Sequence, residues 1–409
     1  MIKRALILIE GHRTSGSLYV RAAKQLGLNP ITLAANPACY NYLGVEQVDA
    51  IHVNTDDLEA LLRECSRLSA NYDIAGITGF ADFDESVLAI VADLCQWFNL
   101  PGPSPVSIRR CCDKFTQRQL LARSGIPVPA YRLAMDVTEA ERSAAQIGLP
   151  VILKPAVGSG SSGVRLCRNP DEIREHMSYL LGGVHIWRSS PRILVEEFAE
   201  GPFYSVELMG DEVVGIVAVD FGSPPHFVFR GTAFPAPLGD DEYSLIADVS
   251  LSCLRALGLG WGPANIELRW TERGPVVIEV NPRLAGALEP QLVQLAYGID
   301  LITEHVKLVI GEGWDLRKRF SQNAAARFLV PDGDGKVDWI HGEKLAAAVP
   351  GVVEVKLYVD CQSPIVKKGD YRDCIGHIMA VSPSVAQTQV ILDSAAHLIR
   401  WSMTPLSSP

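Results

Sequence analysis

Apolar residues recur with two different periods along the first hundred positions, and these periods predict alternating strands and helices. Residues 5–9 and 74–78 are short, continuous apolar runs, as is typical of strands buried on both faces. Residues 84–98 instead carry apolar side chains at helical spacing, and residues 15–26 predict another helix that ends at Gly27. Strands that alternate with helices predict a parallel α/β sheet.

The pattern becomes richer in strands farther along the chain. The run 101–105 holds three prolines and a glycine, which predicts a domain boundary. Beyond it, apolar runs and helical stripes predict strands at residues 151–155, 164–167, 193–198, 204–209, 213–220, 326–330, 352–359 and 374–381, and helices at residues 114–124, 242–257, 290–310 and 384–400. The chain therefore combines an α/β beginning with an α+β remainder.

Composition narrows the class of protein. The 409 residues carry a formal net charge of -10, which argues against a general nucleic-acid binder, because such proteins need a basic surface. No apolar run approaches the roughly 20 residues of a membrane span, so no membrane partner is expected. The nine cysteines form no CxxC pair, which favours reduced thiols and a cytoplasmic protein.

One strand ends in a polar group that suits phosphate chemistry. In residues 276–283 an apolar run leads to Glu279, Asn281 and Arg283. Because side chains alternate along a strand, Glu279 and Asn281 point to the same face. A carboxylate and an amide oxygen together suit Mg²⁺, and the guanidinium of Arg283 matches a phosphate. This strand predicts a magnesium and phosphate site.

A lysine and a glycine-serine loop form a second candidate site. Lys154 interrupts an apolar strand, where a charge is costly to bury unless it meets an anion. The loop that follows, residues 158–163, lies between two predicted strands, so it is expected to form a hairpin whose backbone N–H groups close over phosphates. It lacks the Gly-Lys-Ser/Thr of a Walker A loop, and a flexible linker is the alternative.

The loop after the first strand is a third candidate. It contains His12, Arg13, Thr14 and Ser15 but no GxGxxG, so a dinucleotide site is not supported. The loop follows the carboxyl end of a strand, where open α/β sheets place their ligands. Contact with a substrate and an ordinary surface loop both remain open.

The order of these pieces resembles the ATP-grasp superfamily of carboxylate–amine ligases. The resemblance rests on Lys114, Lys154 with its loop, and the runs 195–198, 205–207, 265–267 and 278–283. Within the superfamily the chain is most similar to the bacterial L-amino-acid ligases that make dipeptides, on residues 234–238 and 350–352 and on the Asn-Pro-Arg run. The resemblance implies an N-terminal α/β domain at residues 1–105, a two-lobed ATP-grasp domain at residues 106–312 with a lid at about 128–200, and a C-terminal α+β subdomain at residues 313–409.

The resemblance also implies roles for individual residues. Implied ATP contacts are Lys114, Lys154, Ser159, Gly160, Ser161, Ser162, Gly163, Glu196, Glu197, Phe198, Ala199 and Glu207. Implied ligands of two Mg²⁺ ions, with Mn²⁺ as an alternative, are Glu267, Glu279 and Asn281. Implied catalytic residues are Arg283, Arg230 and Lys154, and implied substrate contacts are Arg230, Gly231, Thr232, Arg283, Gly286 and Ala287.

Some positions depart from the family pattern. Phe203 stands where relatives often have an acid that holds the ribose, so Glu200 or Glu207 is expected to replace it. Asn265 stands where peptide-ligase relatives usually have a histidine, and Ala287 stands where an acid is common. The acid and amine substrates are therefore not identified by the sequence.

The expected activity is an ATP-dependent ligation. A small carboxylate, an amino acid for example, is activated as an acyl phosphate and coupled to an amine or a second amino acid, with release of ADP and phosphate. One alternative is a purine-pathway or biotin-carboxylase-type ATP-grasp enzyme, and another is a nucleotide-binding module without catalysis. Small molecules are the expected partners, and a homodimer is allowed.

Overall fold

A computed structural model describes residues 2–81, 85–182 and 192–406 of the chain. Its first part is the predicted parallel α/β unit, with four strands in the order β3-β2-β1-β4. The elements are β1 (Lys3–Ile9), α1 (Gly16–Gln25), β2 (Asn29–Ala34), α2 (Tyr42–Val45), β3 (Asp49–His52), α3 (Leu58–Ser69), β4 (Tyr72–Gly79) and α4 (Ser86–Trp97). The short, largely exposed β3 carries no apolar run, which is why the sequence pattern did not predict it. Residue 84, the predicted start of the fourth helix, lies outside the described residues.

The second part is a small antiparallel sheet packed on two helices. After α5 (Pro105–Cys111) and α6 (Lys114–Arg123) come β5 (Tyr131–Ala134), α7 (Val137–Ile147), β6 (Val151–Pro155), β7 (Arg165–Cys167), α8 (Pro170–Gly182) and β8 (Ile193–Glu197). The strand order is β5-β8-β6-β7, and β6 pairs antiparallel with β7. The glycine-serine loop therefore connects two paired strands, as predicted.

The third part is an eight-stranded antiparallel sheet in the order β13-β12-β9-β10-β11-β14-β18-β16. Its strands are β9 (Phe203–Met209), β10 (Glu212–Asp220), β11 (Gly231–Phe234), β12 (Pro263–Thr271), β13 (Gly274–Asn281), β14 (Asn323–Leu329), β16 (Val352–Leu357) and β18 (Gly376–Ser382). Because β11 pairs with β14, this sheet runs across the predicted boundary at residue 312. The domain limit at residue 312 stays a prediction from the sequence. In the structure, strands from both sides of that residue form one sheet.

Helices and a three-stranded sheet surround the large sheet. They are α9 (Asp240–Leu257), α10 (Glu289–Tyr297), α11 (Leu301–Val309), β15 (Gly335–His341), α12 (Glu343–Ala347), β17 (Pro364–Ile365), α13 (Val385–Leu398) and β19 (Arg400–Thr404). The single helix predicted at residues 290–310 was wrong, because the chain breaks between α10 and α11. Gly298 ends α10 with a positive φ of 72°, and the side chain of Asp300 caps the start of α11 by accepting from Thr303.

One apolar core joins the parallel sheet to the large sheet. Leu8 of β1 and Val20 of α1 belong to the same cluster as Leu292 of α10, Val306 of α11 and Ala324 of β14. This packing holds the carboxyl end of β1 against the loop that follows β13. The predicted mixed α/β and α+β fold is thus confirmed. In the described part of the chain, no helix has the length and apolar character needed to cross a membrane.

Candidate active site

Two adjoining cavities lie where the three parts of the chain meet. The smaller, of about 120 Å³, is bordered by Lys154, the glycine-serine loop and one face of β13. The larger, of about 620 Å³, extends to the carboxyl end of β1. Ser159, Gly160, Glu267 and Arg283 border both cavities. Molecules held in the two cavities would therefore meet at this shared wall.

Paired carboxylates stand on that wall. Glu267 of β12 lies directly opposite Glu279 of β13 in the strand register, and Asn265 lies opposite Asn281 two positions away. The Lys114 ammonium lies 2.8 Å from Glu279 Oε1 and donates to the Gly158 carbonyl at 2.5 Å. The resemblance implied both carboxylates as metal ligands, and the sheet register places them side by side.

The carboxylates of Glu267 and Glu279 differ in the positive charges that lie beside them. Burial alone would raise the pKa of Glu279, but the neighbouring Lys114 and Lys154 outweigh it and hold that pKa below its usual range. Burial, and then the charge of Glu279, raise the pKa of Glu267 to about 7. Two partly buried carboxylates side by side, only one of them paired with a lysine, favour the arrival of a further cation.

The donor set fits Mg²⁺. Two carboxylates and the Asn281 amide are hard oxygen ligands, and Mg²⁺ commonly takes one or two carboxylates and completes its octahedron with phosphate and water oxygens. Among residues 2–81, 85–182 and 192–406, no group of three or more His, Cys, Asp or Glu side chains could hold a metal by itself. The predicted ligands Glu267, Glu279 and Asn281 therefore suit an ion that arrives with a phosphorylated ligand.

Lys154 lies in a buried ion-pair triad that the sequence did not reveal. Its ammonium is 2.6 Å from Glu196 Oε2, and Arg118 Nε is 2.6 Å from Glu196 Oε1. Burial lowers the pKa of Lys154, although the charge of Glu196 opposes that shift. All three side chains are almost completely inaccessible. Although Glu196 borders the smaller cavity, its carboxylate is committed to holding Lys154 in position.

Helix α6 supports the acidic strand through two residues that sequence reasoning missed. The Gln117 amide donates to the Val280 carbonyl at 2.9 Å and accepts from the Val280 N–H at 2.8 Å. The Arg118 guanidinium also donates to the Ile278 carbonyl. Because Lys114 lies four residues before Arg118, the two side chains share one helix face. The sequence carried no clear signal for either residue, because this helix has no strong apolar stripe to mark its buried face.

The segment after β8 and a group of aromatic rings form the far end of the smaller cavity. Glu197, Phe198 and Ala199, which the resemblance assigns to the adenine side, border it. The Arg269 guanidinium lies 5.3 Å from the centre of the Phe198 ring and 5.4 Å from that of the Phe203 ring. The aromatic residue at position 203 thus packs against a cation on the cavity wall.

The two acids expected to replace the missing ribose ligand do not lie in this cavity. Glu200 is exposed and borders neither cavity. Glu207 is fully buried and accepts a hydrogen bond from the Ala285 N–H at 3.2 Å. The structure therefore does not bring the predicted ATP contact Glu207 to the nucleotide side, because β9 directs this side chain toward the loop after β13.

Glu207 is one of two neighbouring buried acids, and the other, Glu289, borders the larger cavity. Burial raises the pKa of Glu207 to about 8, and burial followed by the charge of Glu207 raises the pKa of Glu289 well above its usual range. Glu289 accepts a hydrogen bond from Ser205 at 2.7 Å, and Ser205 accepts one from Asn265 at 2.6 Å. Near neutral pH this pair keeps protons that exposed carboxylates would lose.

We expect Glu207→Gln to flatten the pH dependence of stability. The folded pKa of about 8 lies above the roughly 4.3 of an unfolded glutamate, so the stabilising contribution is complete below the unfolded value and is lost as pH rises through the folded value. Urea unfolding without Mg²⁺ at about pH 6 and about pH 9 should show a smaller fall in unfolding free energy for the variant than for the wild type. The exposed Glu212→Gln serves as the control. An equal fall in Glu207→Gln and wild type would contradict the raised pKa.

The glycine-serine loop lies on the shared wall and touches the C-terminal part of the chain. Ser159, Gly160, Ser161 and Ser162 border the smaller cavity, whereas Gly163 accepts a hydrogen bond from the His176 ring through its carbonyl. Gly160 has a φ of +64°, and a Cβ there would lie 2.4 Å from the Tyr371 ring. Only glycine fits this approach without displacing the loop.

Gly160→Ala is expected to weaken nucleotide binding about tenfold, since a left-handed alanine costs roughly 1–2 kcal/mol before the contact with Tyr371 is counted. Calorimetric titration with Mg-ADP measures the effect. Gly182→Ala is the matched control, because no atom lies within 4 Å of its added Cβ and its φ is not positive. Equal affinity in the two variants would show that the loop does not need this conformation.

Arg283 and the loop after it form the boundary between the cavities. Its guanidinium lies 3.2 Å from the buried Glu85 carboxylate and donates to the Leu284 carbonyl at 3.1 Å. Gly286 and Ala287, two of the predicted substrate contacts, border the larger cavity. Ala287 has a positive φ of 50°, so this wall is held in an uncommon backbone conformation.

Three other predicted substrate contacts are not brought to either cavity. Gly231 and Thr232 pair on both sides within the large sheet, with β10 and β14. The Arg230 guanidinium donates to the Val330 carbonyl at 3.4 Å, and the side chain packs against Gly222. The prediction of Arg230 as a substrate contact rested on its position in the chain. In the structure its side chain is directed toward Val330 and away from both cavities.

Comparisons with known proteins identify the family of the chain. Residues 113–318, just over half of the chain, match the family described as carbamoyl-phosphate synthase L chain, ATP binding domain. Residues 327–404 match L-amino acid ligase C-terminal domain 2. The chain is 56% identical over 406 residues to the uncharacterized protein y4rH of Sinorhizobium fredii, covering 99% of this chain and 84% of that one. It is 29% identical to human carnosine synthase 1 over 58% of this chain, which spans only 31% of that longer protein.

A solved structure shares the fold over nearly the whole length. The crystal structure of L-amino acid ligase from Bacillus licheniformis superposes with a TM-score of 0.83 at 19% identity, covering 98% of this chain and 99% of that one. N5-carboxyaminoimidazole ribonucleotide synthetase from Thermotoga maritima superposes with a TM-score of 0.71 at 19% identity, covering 98% of this chain and all of that one. The chain therefore belongs to the carbamoyl-phosphate synthase L chain ATP-binding family and is an ATP-grasp, ATP-dependent carboxylate–amine ligase, and its residues 327–404 match an L-amino-acid-ligase C-terminal domain.

Proposed function

We propose that this enzyme activates the carboxylate of an amino acid as an acyl phosphate and couples it to an amine or a second amino acid. The observation that carries the proposal is the shared wall between the two cavities, where Glu267, Arg283 and the loop residues Ser159 and Gly160 border both. A phosphate donor in the smaller cavity and a carboxylate in the larger would meet at this wall. ADP and phosphate leave when the amide bond has formed.

The residues of the smaller cavity have proposed roles in phosphate binding. Lys114 and Lys154 neutralise phosphate charge, and Glu196 keeps Lys154 aligned from behind. The loop 158–163 covers the phosphates with backbone N–H groups and excludes water, which protects an acyl phosphate from hydrolysis. Glu267, Glu279 and Asn281 would hold two Mg²⁺ ions, which supply charge neutralisation when bound.

Arg283 has the central role in this proposal. It borders both cavities, and its orientation is fixed by the Glu85 carboxylate and the Leu284 carbonyl. From there its guanidinium can contact the transferred phosphoryl group and the carboxylate that receives it. Phosphoryl transfer depends mainly on positioning and charge neutralisation, so a fixed cation at the point of transfer suits the reaction.

The larger cavity supports a ligation of two small molecules. A volume of about 620 Å³ falls in the range of sites that enclose small ligands. The full-length structural likeness to an L-amino acid ligase, together with the carnosine synthase relatives, favours amino acids as substrates.

Phosphate release tests the proposal. Purified enzyme with Mg-ATP is screened against pairs of amino acids, with product masses read by mass spectrometry. Hydroxylamine in place of the amine traps an acyl phosphate as a hydroxamate, so the acid can be identified alone. Phosphate release and a matching dipeptide or hydroxamate mass are expected. Failure of every acid to release phosphate or form a hydroxamate would overturn the proposal.

A second candidate is a bicarbonate-dependent reaction, as in purine-pathway or biotin-carboxylase-type enzymes. It is favoured by the structural likeness to N5-carboxyaminoimidazole ribonucleotide synthetase and by 23% identity to biotin carboxylase 1 of Bacillus subtilis. Phosphate release that requires bicarbonate and no other acid would select this candidate. A homodimer and a cytoplasmic location are further proposals, and light scattering of the purified protein checks the first.

A further inference from the structure

The loop between β1 and α1 brings a histidine to the wall of the larger cavity. His12 borders this cavity together with Arg283, and its imidazole stacks on Phe80 with the rings 14° from parallel and 6.3 Å apart. The ring thus shares the wall of this cavity with Arg283, beside which the proposed function puts the reacting carboxylate. It comes from the N-terminal sheet, whereas Arg283 comes from the loop after β13 in the large sheet.

The hydrogen bonds of the loop determine which ring nitrogen carries the proton. His12 Nδ1 lies 3.3 Å from the Ser15 backbone N–H, 2.8 Å from Ser15 Oγ and 3.2 Å from Thr14 Oγ1. A backbone N–H can only donate, so Nδ1 must accept and cannot carry a proton. In a neutral ring the proton then sits on Nε2, which becomes a hydrogen-bond donor.

The surroundings keep the ring neutral. Burial, followed by the positive charges of Arg283 and Arg13, lowers the pKa of His12 to about 4. A neutral imidazole presents an N–H donor without adding a charge beside Arg283. A donor of this kind can stabilise charge on an oxygen without giving up its own proton.

The hydroxyls of the neighbouring residues do not compete for this position, because those of Thr14 and Ser15 are directed to Nδ1. Arg13 also borders the larger cavity, with an exposed side chain. Among the described residues, none accepts a hydrogen bond from His12 Nε2. The Nε2–H group is therefore a neutral donor that this loop can offer to a ligand in the larger cavity.

We propose that His12 Nε2–H donates a hydrogen bond to the carboxyl group of the acid that is activated, on the oxygen that is not phosphorylated, opposite Arg283. This inference rests on the proposed function and adds a substrate-binding residue from the N-terminal sheet. The loop then serves to hold one imidazole in one tautomer: Ser15 and Thr14 hold Nδ1, Phe80 holds the plane of the ring, and Nε2 meets the substrate.

The kinetic test compares His12→Leu with His12→Gln, using the acid identified by hydroxamate formation. Removing one donor of this type typically costs about a hundredfold or more in rate, so His12→Leu should lower kcat/KM for the acid roughly a hundredfold. His12→Gln keeps an N–H donor and should recover activity to within about tenfold of the wild type. Affinity for Mg-ADP should not change in either variant, and His52→Leu, exposed on β3, is the control. Wild-type kcat/KM in His12→Leu would overturn the inference.

Nuclear magnetic resonance of the wild-type protein tests the tautomer of His12 without depending on activity or on the kinetics of the variants. In ¹⁵N-histidine-labelled wild-type protein, the resonances lost in His12→Gln identify His12. Its Nδ1 should resonate as an unprotonated nitrogen and its Nε2 as a protonated one. A protonated Nδ1 would overturn the inference whatever the activity. A wild type that forms no hydroxamate with any acid fails the proposed function, and the inference about His12 falls with it even if the tautomer is as expected.

Discussion

Glu279→Gln is expected to lower the rate of ADP formation roughly a thousandfold, since losing a metal ligand at the point of phosphoryl transfer removes several kcal/mol of charge stabilisation. Glu279 stands opposite Glu267 in the sheet register and pairs with Lys114 at 2.8 Å. The variant keeps the shape of the side chain but loses the charge that both Mg²⁺ and Lys114 need. Its fold should persist, because Lys114 still donates to the Gly158 carbonyl and lies near the charges of Glu85 and Glu267.

Single-turnover measurement of ADP formation, with circular dichroism as the check on folding, tests this expectation. The exposed Glu212→Gln on β10 provides the matched control and should turn over like the wild type. Loss of Glu279 also removes the charge that helps to raise the pKa of Glu267. A folded Glu279→Gln enzyme with near wild-type turnover would mean that the metal and phosphate site has been assigned to the wrong strand.

Glu196→Gln is expected to lower the free energy of unfolding by about 3–5 kcal/mol, the typical result of removing one partner from a buried ion pair. Glu196 lies between Arg118 and Lys154, at 2.6 Å from each, and all three side chains are almost fully buried. Without its carboxylate, two buried cations remain close together and lose the counter-charge that pairs with both. The burial of Arg118 and Lys154, which the carboxylate offsets in the triad, then destabilises the folded state.

Urea unfolding at neutral pH measures this loss, and the adjacent residue supplies the control. Glu197 points to the other face of β8, where it pairs with the exposed Arg273, so Glu197→Gln should cost less than about 1 kcal/mol. Adding Arg118→Met to Glu196→Gln should recover part of the stability, because one uncompensated charge is removed. Strictly additive losses in the double variant would argue against the triad as a unit.

The order of elements was predictable because it depends on local pattern. Continuous apolar runs identified β1 and the core of β4, and helical spacing identified α4. Weakly apolar elements were missed, such as β3, and the break at Gly298 was hidden within an apolar stripe. Pairing across residue 312 was not predictable, since β14 and β11 are far apart in sequence and only packing brings them together.

Within the candidate site, too, some residue types could be interpreted from the sequence, whereas the contacts of the side chains could not. The strand that ends in Glu279, Asn281 and Arg283 was readable from its residue types and from the alternation of side chains along a strand. The partner of Glu196 was not readable, because Arg118 is 78 positions away on a helix that has no strong apolar stripe. Glu207 and Arg230 looked equivalent to other candidates in sequence, but the sheet buries the first behind the cavity and directs the second toward Val330.

The sequence by itself determined the fold class, because that follows from periodicity, and the superfamily, because that follows from the resemblance carried by its motifs. The groups that the resemblance implies for ATP and Mg²⁺ stay a prediction. Only the tertiary structure decided which charges face one another and which face a cavity. It placed Glu267 opposite Glu279, held Lys154 with a buried glutamate and brought His12 to the wall that Arg283 borders. The physical reason is that the burial and partners of a charged group depend on contacts between distant segments, which local pattern does not encode.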